Sequence, residues 1–391
     1  MELIIAIIAN LALLVYFKYA GFFWTEIVSS IAAIGLDLNY SALEIALPIG
    51  ISFYTFQSIS YLIDVYRGTI PPERSLINFG MYLSNFPQLI AGPIVRYKDI
   101  EKEVTSREVG ISSLYDGSVR FTLGLSKKVL IADPLGQVVD QIFALPQNEL
   151  TTPLAWFGIL AYTLQIFFDF SGYSDMAIGL GKMMGFNFPE NFNQPYRSTS
   201  VTEFWRRWHM TLSGWFRDYL YIPLGGNRKG PWRTYFNLFT VFVLCGFWHG
   251  AAYTFLIWGL LHGTLLAFER LLLNKLNWQP NGFLGWLYTL VFVMLAWVVF
   301  RAETLSTATH YWQALLFQTD AQHTFFGIWY YINPHTLAIL IIGSVLATLP
   351  LEKMQFSRLT IVTAPLTYVF LLISIAYLSV NLFNPFIYFR F

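Results

Sequence analysis

The run LCGFWHGAAYTF at residues 244–255 sets His249 in the middle of a long apolar span. An ionisable side chain placed there is costly, and such residues are functional-site candidates by default. Neutral imidazole can take a proton from a hydroxyl near pH 7, so general-base chemistry is the first expectation for His249. The competing reading is a core histidine bonded to a backbone carbonyl. Cys245 lies one helical turn earlier. It makes a Cys-His nucleophilic pair one option and a small buried hydrophobe the other. His209, in FWRRWHMTLS, is either a second functional histidine or an interfacial one among tryptophans. His262 follows His249 by thirteen residues, roughly 20 Å along a straight helix, so a shared metal is not expected. His310, His323 and His335 fall in or beside a loop, where solvation accounts for them.

Asp169 and Asp175 interrupt the apolar stretch FFDFSGYSDMAIGLG. Six residues apart, they lie on different faces of a helix and form no obvious carboxylate dyad. They are expected to orient a histidine, bind an ion, or bond to neighbouring helices. LGGNRKGPWR, from Leu224, sets Gly225 and Gly226 beside Arg228 and Lys229. It lacks the spacing of a P-loop and serves at most as an anion-binding turn. With Arg206, Arg207 and Arg217 it makes a basic mouth suited to a phosphorylated carrier such as coenzyme A. Charges that merely fix topology explain it equally well. Tyr388, in the tail NPFIYFRF, is either an interfacial anchor or a nucleophile that visits the site.

These residues need a hydrophobic scaffold, and the composition supplies one. The 391 residues are 55% hydrophobic, 18% aromatic and 12% charged, with a mean hydropathy of +0.51. Soluble domains carry roughly twice that charge fraction. Apolar blocks recur at about 1–24, 42–63, 75–95, 117–144, 153–185, 235–268, 282–301, 335–351 and 360–383. A span needs about 20 apolar residues, which makes this an all-α polytopic membrane protein of about ten crossings. The longest blocks exceed one straight crossing and must tilt, run on into water or fold back. The first block has neither a basic leader nor a small-residue cleavage site, so it is not expected to be a removed signal peptide. A single cysteine excludes an internal disulfide and a cysteine-rich metal site. The net charge of +1 gives no indication of a nucleic-acid partner.

The polar interruption 187–234 is rich in arginine and is expected to face the cytoplasm. The stretch 303–334 has no Lys or Arg and reads as an outer loop. Both ends of block 235–268 then lie inside, and the block must form two legs with His249 near the far end. Within 187–234, Thr202 and Glu203 open a run suited to an interfacial amphipathic helix, its tryptophans toward the acyl chains. No repeat or flexible linker divides the chain, so 1–391 reads as one integral domain.

The stretches FPQLIAGPIVRY, FFDFSGYSDMAIGLGKMMGFNFPENFNQPYRS, TEFWRRWHMTLSGWFRDYLYIPLGGNRKG, FWHGAAYTFLIWGLLHG and FIYFRF carry a recognisable pattern. The chain resembles the membrane-bound O-acyltransferases, in particular their bacterial alginate O-acetylation branch. The resemblance implies a ring of helices around a thinned centre, with a funnel on each face and His249 where the funnels meet. It implies an acyl donor such as acetyl-CoA, or an acyl carrier protein, bound from the cytoplasm, and a hydroxyl acceptor reached from outside. No tightly bound cofactor or metal is implied. His249 falls on the family's invariant histidine and His209 on a second histidine held important in this branch. The terminal pattern makes Tyr388 a candidate acyl carrier. An envelope acetyltransferase partner, a polysaccharide acceptor and a place in the bacterial inner membrane follow from the same likeness. Members begin with further hydrophobic helices before the stretch matching 3–19.

Overall fold

The computed structural model describes residues 1–36, 43, 45–277, 279–318, 327–349 and 360–380. Helices account for the architecture, and no strand occurs among the described residues. The first five are α1 (Glu2–Ala33), α2 (Ile51–Tyr66), α3 (Leu76–Ser84), α4 (Phe86–Leu89) and α5 (Tyr97–Thr105). The apolar block 75–95, expected to approach a span, is broken instead into α3, α4 and an irregular turn. Pro87 lacks an N–H and its ring opposes the carbonyl four residues back, so α3 stops and Asn85 is extended. Gly92, at φ +95°, then turns the chain where most side chains are strained.

Next come α6 (Ile111–Ser126), a π-helical stretch Lys127–Ala132, α7 (Asp133–Phe143) and α8 (Thr152–Met183). The 32 residues of α8 form one unbroken helix, and 89% of its most apolar window is buried. At about 48 Å it exceeds the hydrocarbon thickness of roughly 30 Å, and it runs through the middle of the protein. Glycines let α6 approach it closely. A Cβ on Gly117 would come 2.6 Å from the Gly179 carbonyl oxygen, and one on Gly124 2.5 Å from that of Gly172. Thr152 and Trp156 at its start bond to the carbonyls of Ala314 and Leu315. Lys182 at its end pairs with Asp116 at 2.8 Å. The stretches around 305–315 and 185–190 thus sit at opposite ends of α8.

The polar segment holds α9 (Val201–Arg207), α10 (Met210–Phe216) and a π-turn Arg217–Tyr221. This corrects the expected interfacial helix. The chain breaks at Trp208 and His209, and Phe204, Trp205, Trp208 and Trp215 are buried in the protein core. The reason is tertiary: Trp258 lies 5.7 Å from Trp205 and Trp297 5.1 Å from Trp208, giving the rings protein partners in place of lipid.

Then follow α11 (Pro231–His249), α12 (Tyr253–Leu276), α13 (Gly282–Arg301), α14 (Leu305–Leu315), α15 (Ile328–Tyr331), α16 (Pro334–Thr348) and α17 (Thr360–Val380). Block 235–268 forms the antiparallel pair α11 and α12, joined by residues 250–252. Gly246 and Gly259 face each other across it, and Gly263 packs on Phe242. A Cβ on Gly259 would overlap the Phe242 carbonyl oxygen, so Gly259→Ala is expected to cost about 1–3 kcal/mol. Gly80→Ala, where an added Cβ meets nothing, stays neutral or gains up to about 1 kcal/mol. Equilibrium unfolding of the two variants checks the contrast.

Among the described residues four helices, Glu2–Ala33, Thr152–Met183, Tyr253–Leu276 and Gly282–Arg301, are long and apolar enough to cross a membrane.

Candidate functional site

His249 is the last residue of α11 and sits at the tip of the hairpin. The open ends of the two legs are tied to the polar segment. Glu269 of α12 accepts from the Val201 and Thr202 N–H groups, and Asn237 of α11 donates to the Gly226 carbonyl. The tip packs against Phe300 near the end of α13. Trp248, Trp258 and Phe300 surround the His249 imidazole edge-on, at centroid distances of 4.9, 5.2 and 5.2 Å. The residue is 7% exposed, and its Nδ1 is enclosed without a hydrogen-bond partner among the described residues.

His262 is brought to the same cluster. The two histidines lie on different legs, so their thirteen-residue separation does not run along one straight helix. Trp258 stands between them, 5.2 Å from His249 and 4.9 Å from His262. The Trp205 indole N–H donates to His262 Nδ1 at 3.1 Å, so a neutral His262 carries its proton on Nε2. That Nε2 and the Trp258 Nε1 have no hydrogen-bond partner among the described residues.

His209 approaches from the polar segment. It is fully buried at φ +43°, a left-handed conformation uncommon for a residue with a side chain. Phe170 lies 4.8 Å from its ring and Trp248 6.2 Å, so His209 and His249 both pack on Trp248. Asn191 holds it there. The Asn191 Nδ2 donates to the Gly92 carbonyl and to Ser174 Oγ. Its Oδ1 therefore faces His209 Nδ1 at 3.0 Å and also accepts from Thr211 Oγ1 at 2.8 Å. A carbonyl can only accept, so the amide orientation is fixed and neutral His209 carries its proton on Nδ1. The lone pair on Nε2 is left without a partner among the described residues.

The carboxylates are engaged in ion pairs with α6 and the π-helical stretch. Asp175 pairs with Lys127 at 2.5 Å and Arg120 at 2.6 Å, and Arg120 also meets Glu190. Asp169 and Asp133 both pair with Lys128 at 2.6 Å. Cys245 is buried in the core. Among the described residues no group of three or more His, Cys, Asp or Glu could hold a metal ion.

Of the basic set, Arg206, Arg228 and Lys229 are exposed, while Arg207 pairs with Glu203 at 3.0 Å and Arg217 with Asp218 at 2.8 Å. Sequence reasoning missed Arg96, which reaches Asp218 at 2.8 Å, and Lys98, which reaches the buried Asp64 at 3.3 Å. Partial burial opposes the charge on Asp218, but the Arg217 and Arg96 guanidiniums outweigh it and hold the carboxyl below its ordinary range. Lys18 was missed too. It reaches the hairpin tip from α1, and its signal was an isolated charge within an apolar run. His310 bonds to Gln147 and Ser306, and His335 is exposed. Tyr388 and His323 lie outside the described residues.

The sequence pattern of the membrane-bound O-acyltransferases (MBOAT) matches residues 71–307. A Pseudomonas putida protein named "Probable alginate O-acetylase AlgI" is 51% identical over 320 residues, covering 82% of this chain and 65% of its own length. Its namesake in Pseudomonas aeruginosa is 51% identical over 315 residues, covering 80% of this chain and 60% of its own. The peptidoglycan O-acetyltransferase of Helicobacter pylori is 39% identical, covering 78% and 63% respectively. The chain therefore spans less than two thirds of the length of these relatives. With more than half of its residues matched to one pattern, the chain belongs to the membrane-bound O-acyltransferase family.

Proposed function

We propose that this protein transfers an acetyl group from cytoplasmic acetyl-CoA to a hydroxyl of an exported or envelope polysaccharide of alginate type. The observation that carries this reading is the place of His249. It is an imidazole at the tip of a buried helical hairpin, caged by aromatic rings, in a chain of an O-acyltransferase family. With Nδ1 enclosed, Nε2 is the nitrogen that meets the acceptor. It takes the hydroxyl proton as the oxygen attacks the thioester carbonyl. The tetrahedral intermediate collapses, the carbon–sulfur bond breaks, and the coenzyme A thiolate leaves with the proton returned by the imidazolium, which restores the neutral base.

In this reading about ten crossings form a ring around a thinned centre in the bacterial inner membrane. The donor enters past Arg206, Arg207, Arg217, Arg228 and Lys229, and His209 borders its path. The acceptor comes from the opposite face, or Tyr388 or an envelope acetyltransferase relays the acyl group. Resemblance to alginate O-acetylases at about half identity favours acetyl and a uronate polysaccharide over peptidoglycan acetylation or D-alanylation of teichoic acid. The ion pairs of Asp169 and Asp175 with Lys128, Lys127 and Arg120 speak against a proton-relay transporter, and an active His249 would speak against a mere scaffold.

The test is purified protein with acetyl-labelled acetyl-CoA and polyuronate, peptidoglycan or teichoic acid as acceptor, with and without Tyr388→Phe. Release of coenzyme A with labelled ester on the polyuronate is expected. Ester on another acceptor would reassign the substrate, and absence of thioester cleavage with every acceptor would overturn the reading. Label retained on protein and lost in Tyr388→Phe would make the tail the carrier.

A further inference from the structure

A helix leaves its last four carbonyls without partners inside the helix. At the tip of a hairpin set in an apolar interior, each of them needs a donor from elsewhere. In α11 these are the carbonyls of Gly246, Phe247, Trp248 and His249. All four are accounted for. The Gly250 N–H donates to Gly246 at 3.4 Å, and the Tyr19 hydroxyl donates to Phe247 at 2.7 Å. The Lys18 ammonium donates to Trp248 at 2.5 Å and to His249 at 3.0 Å. Two consecutive residues of α1 thus satisfy three consecutive carbonyls on α11, more than two hundred residues away in sequence.

The clamp is reinforced by packing. The Tyr19 ring stacks on Phe247 at 4.1 Å, and the Lys18 ammonium lies 5.8 Å from the centre of the Trp248 ring. Its remaining contact is Ser52 Oγ, at 3.3 Å, near the start of α2. An ammonium has three protons to donate, and here three acceptors take them, so Lys18 is not left to bind a substrate. Its charge also sits at the negative end of the α11 dipole, where a cation is favoured.

We propose that Lys18, together with Tyr19, is the positioning element that fixes the backbone of His249 and so the angle at which its imidazole meets the acceptor. This rests on the acyl-transfer reading above. Misplacement of a reacting group by about 1 Å can cost on the order of 10²-fold in rate.

The experiment compares full-length wild type with Lys18→Met, Lys18→Arg and Tyr19→Phe in detergent. It measures kcat, the KM for acetyl-CoA, and hydrogen exchange of the peptide covering residues 244–252. Lys18→Met is expected to lower kcat on the order of 10²-fold, with KM within about twofold. Arginine, which keeps a multidentate cation, should recover most of that loss. Tyr19→Phe, which frees one carbonyl only, should lower kcat by about fivefold or less and still fold. Exchange at the tip rises in Lys18→Met. Unchanged kcat per folded molecule in Lys18→Met, or unchanged tip exchange, overturns the proposal. Faster tip exchange in Lys18→Met with no thioester turnover even in wild type would leave the clamp standing and bring down the acyl-transfer reading instead.

Discussion

Acyl transfer by His249→Ala is expected to fall about 10³-fold, within the range that a general base contributes. Among the described residues, no neighbour of the ring offers a substitute. The cage is made of Trp248, Trp258 and Phe300, none of which accepts a proton. A neutral His262 holds its proton on Nε2 and has its Nδ1 occupied by Trp205. Neutral His209 has an Nε2 without a partner among the described residues, but the Trp248 ring packs against both it and His249. Alanine also leaves a gap among aromatic rings, so His249→Gln serves as the companion that fills more of the space without a basic nitrogen. Both variants should release coenzyme A at rates within about tenfold of each other. Glutamine retaining near-wild-type rate would mean that the imidazole shapes the cage and moves no proton.

Asn191→Leu is expected to destabilise the folded protein on the order of 4 kcal/mol, since each orphaned buried polar group costs about 1–3 kcal/mol. This one buried side chain holds four partners. They are the Gly92 carbonyl on the irregular turn, Ser174 on α8, and Thr211 and His209 on the polar segment. Backbone bonds from Met210 to Asn191 and from Asn193 to Arg207 fasten the same two stretches. Leucine fills comparable volume but supplies neither donor nor acceptor. Asp in its place accepts from Thr211 and His209 yet cannot donate to Gly92, so it should fall between. Chemical denaturation in detergent micelles separates the three proteins. A loss below about 1 kcal/mol for leucine would show that His209 is held by the backbone alone.

What could be read from the chain followed from periodicity and cost. An apolar block of 34 residues flanked on both sides by arginine and lysine had to double back, and His249 had to fall near the bend. Of the glycines that let the legs touch, Gly246 lies in the run around His249, while Gly259, which faces it, lies on the other leg. The polar segment misled for a physical reason. Alternating arginine and tryptophan has the same pattern whether the rings face lipid or protein, and only the tertiary partners Trp258 and Trp297 decide it. Asn191 and Lys18 were overlooked because their roles depend on partners far away in sequence, at Gly92, Trp248 and His249. No local spacing reports such a pairing. Lys18 alone carried a warning, as an ammonium in the middle of an apolar helix.

The most direct test of the central claim uses proteoliposomes holding polyuronate in their lumen, with acetyl-labelled acetyl-CoA added outside. The protein is oriented with its polar segment outward, and label is counted on the lumenal polysaccharide and on the protein itself. Wild type is predicted to carry label to the lumenal side while free coenzyme A stays outside, and His249→Ala to carry none. Equal labelling by the two proteins, or label confined to the outer side in wild type, would contradict a His249-driven transfer across the membrane.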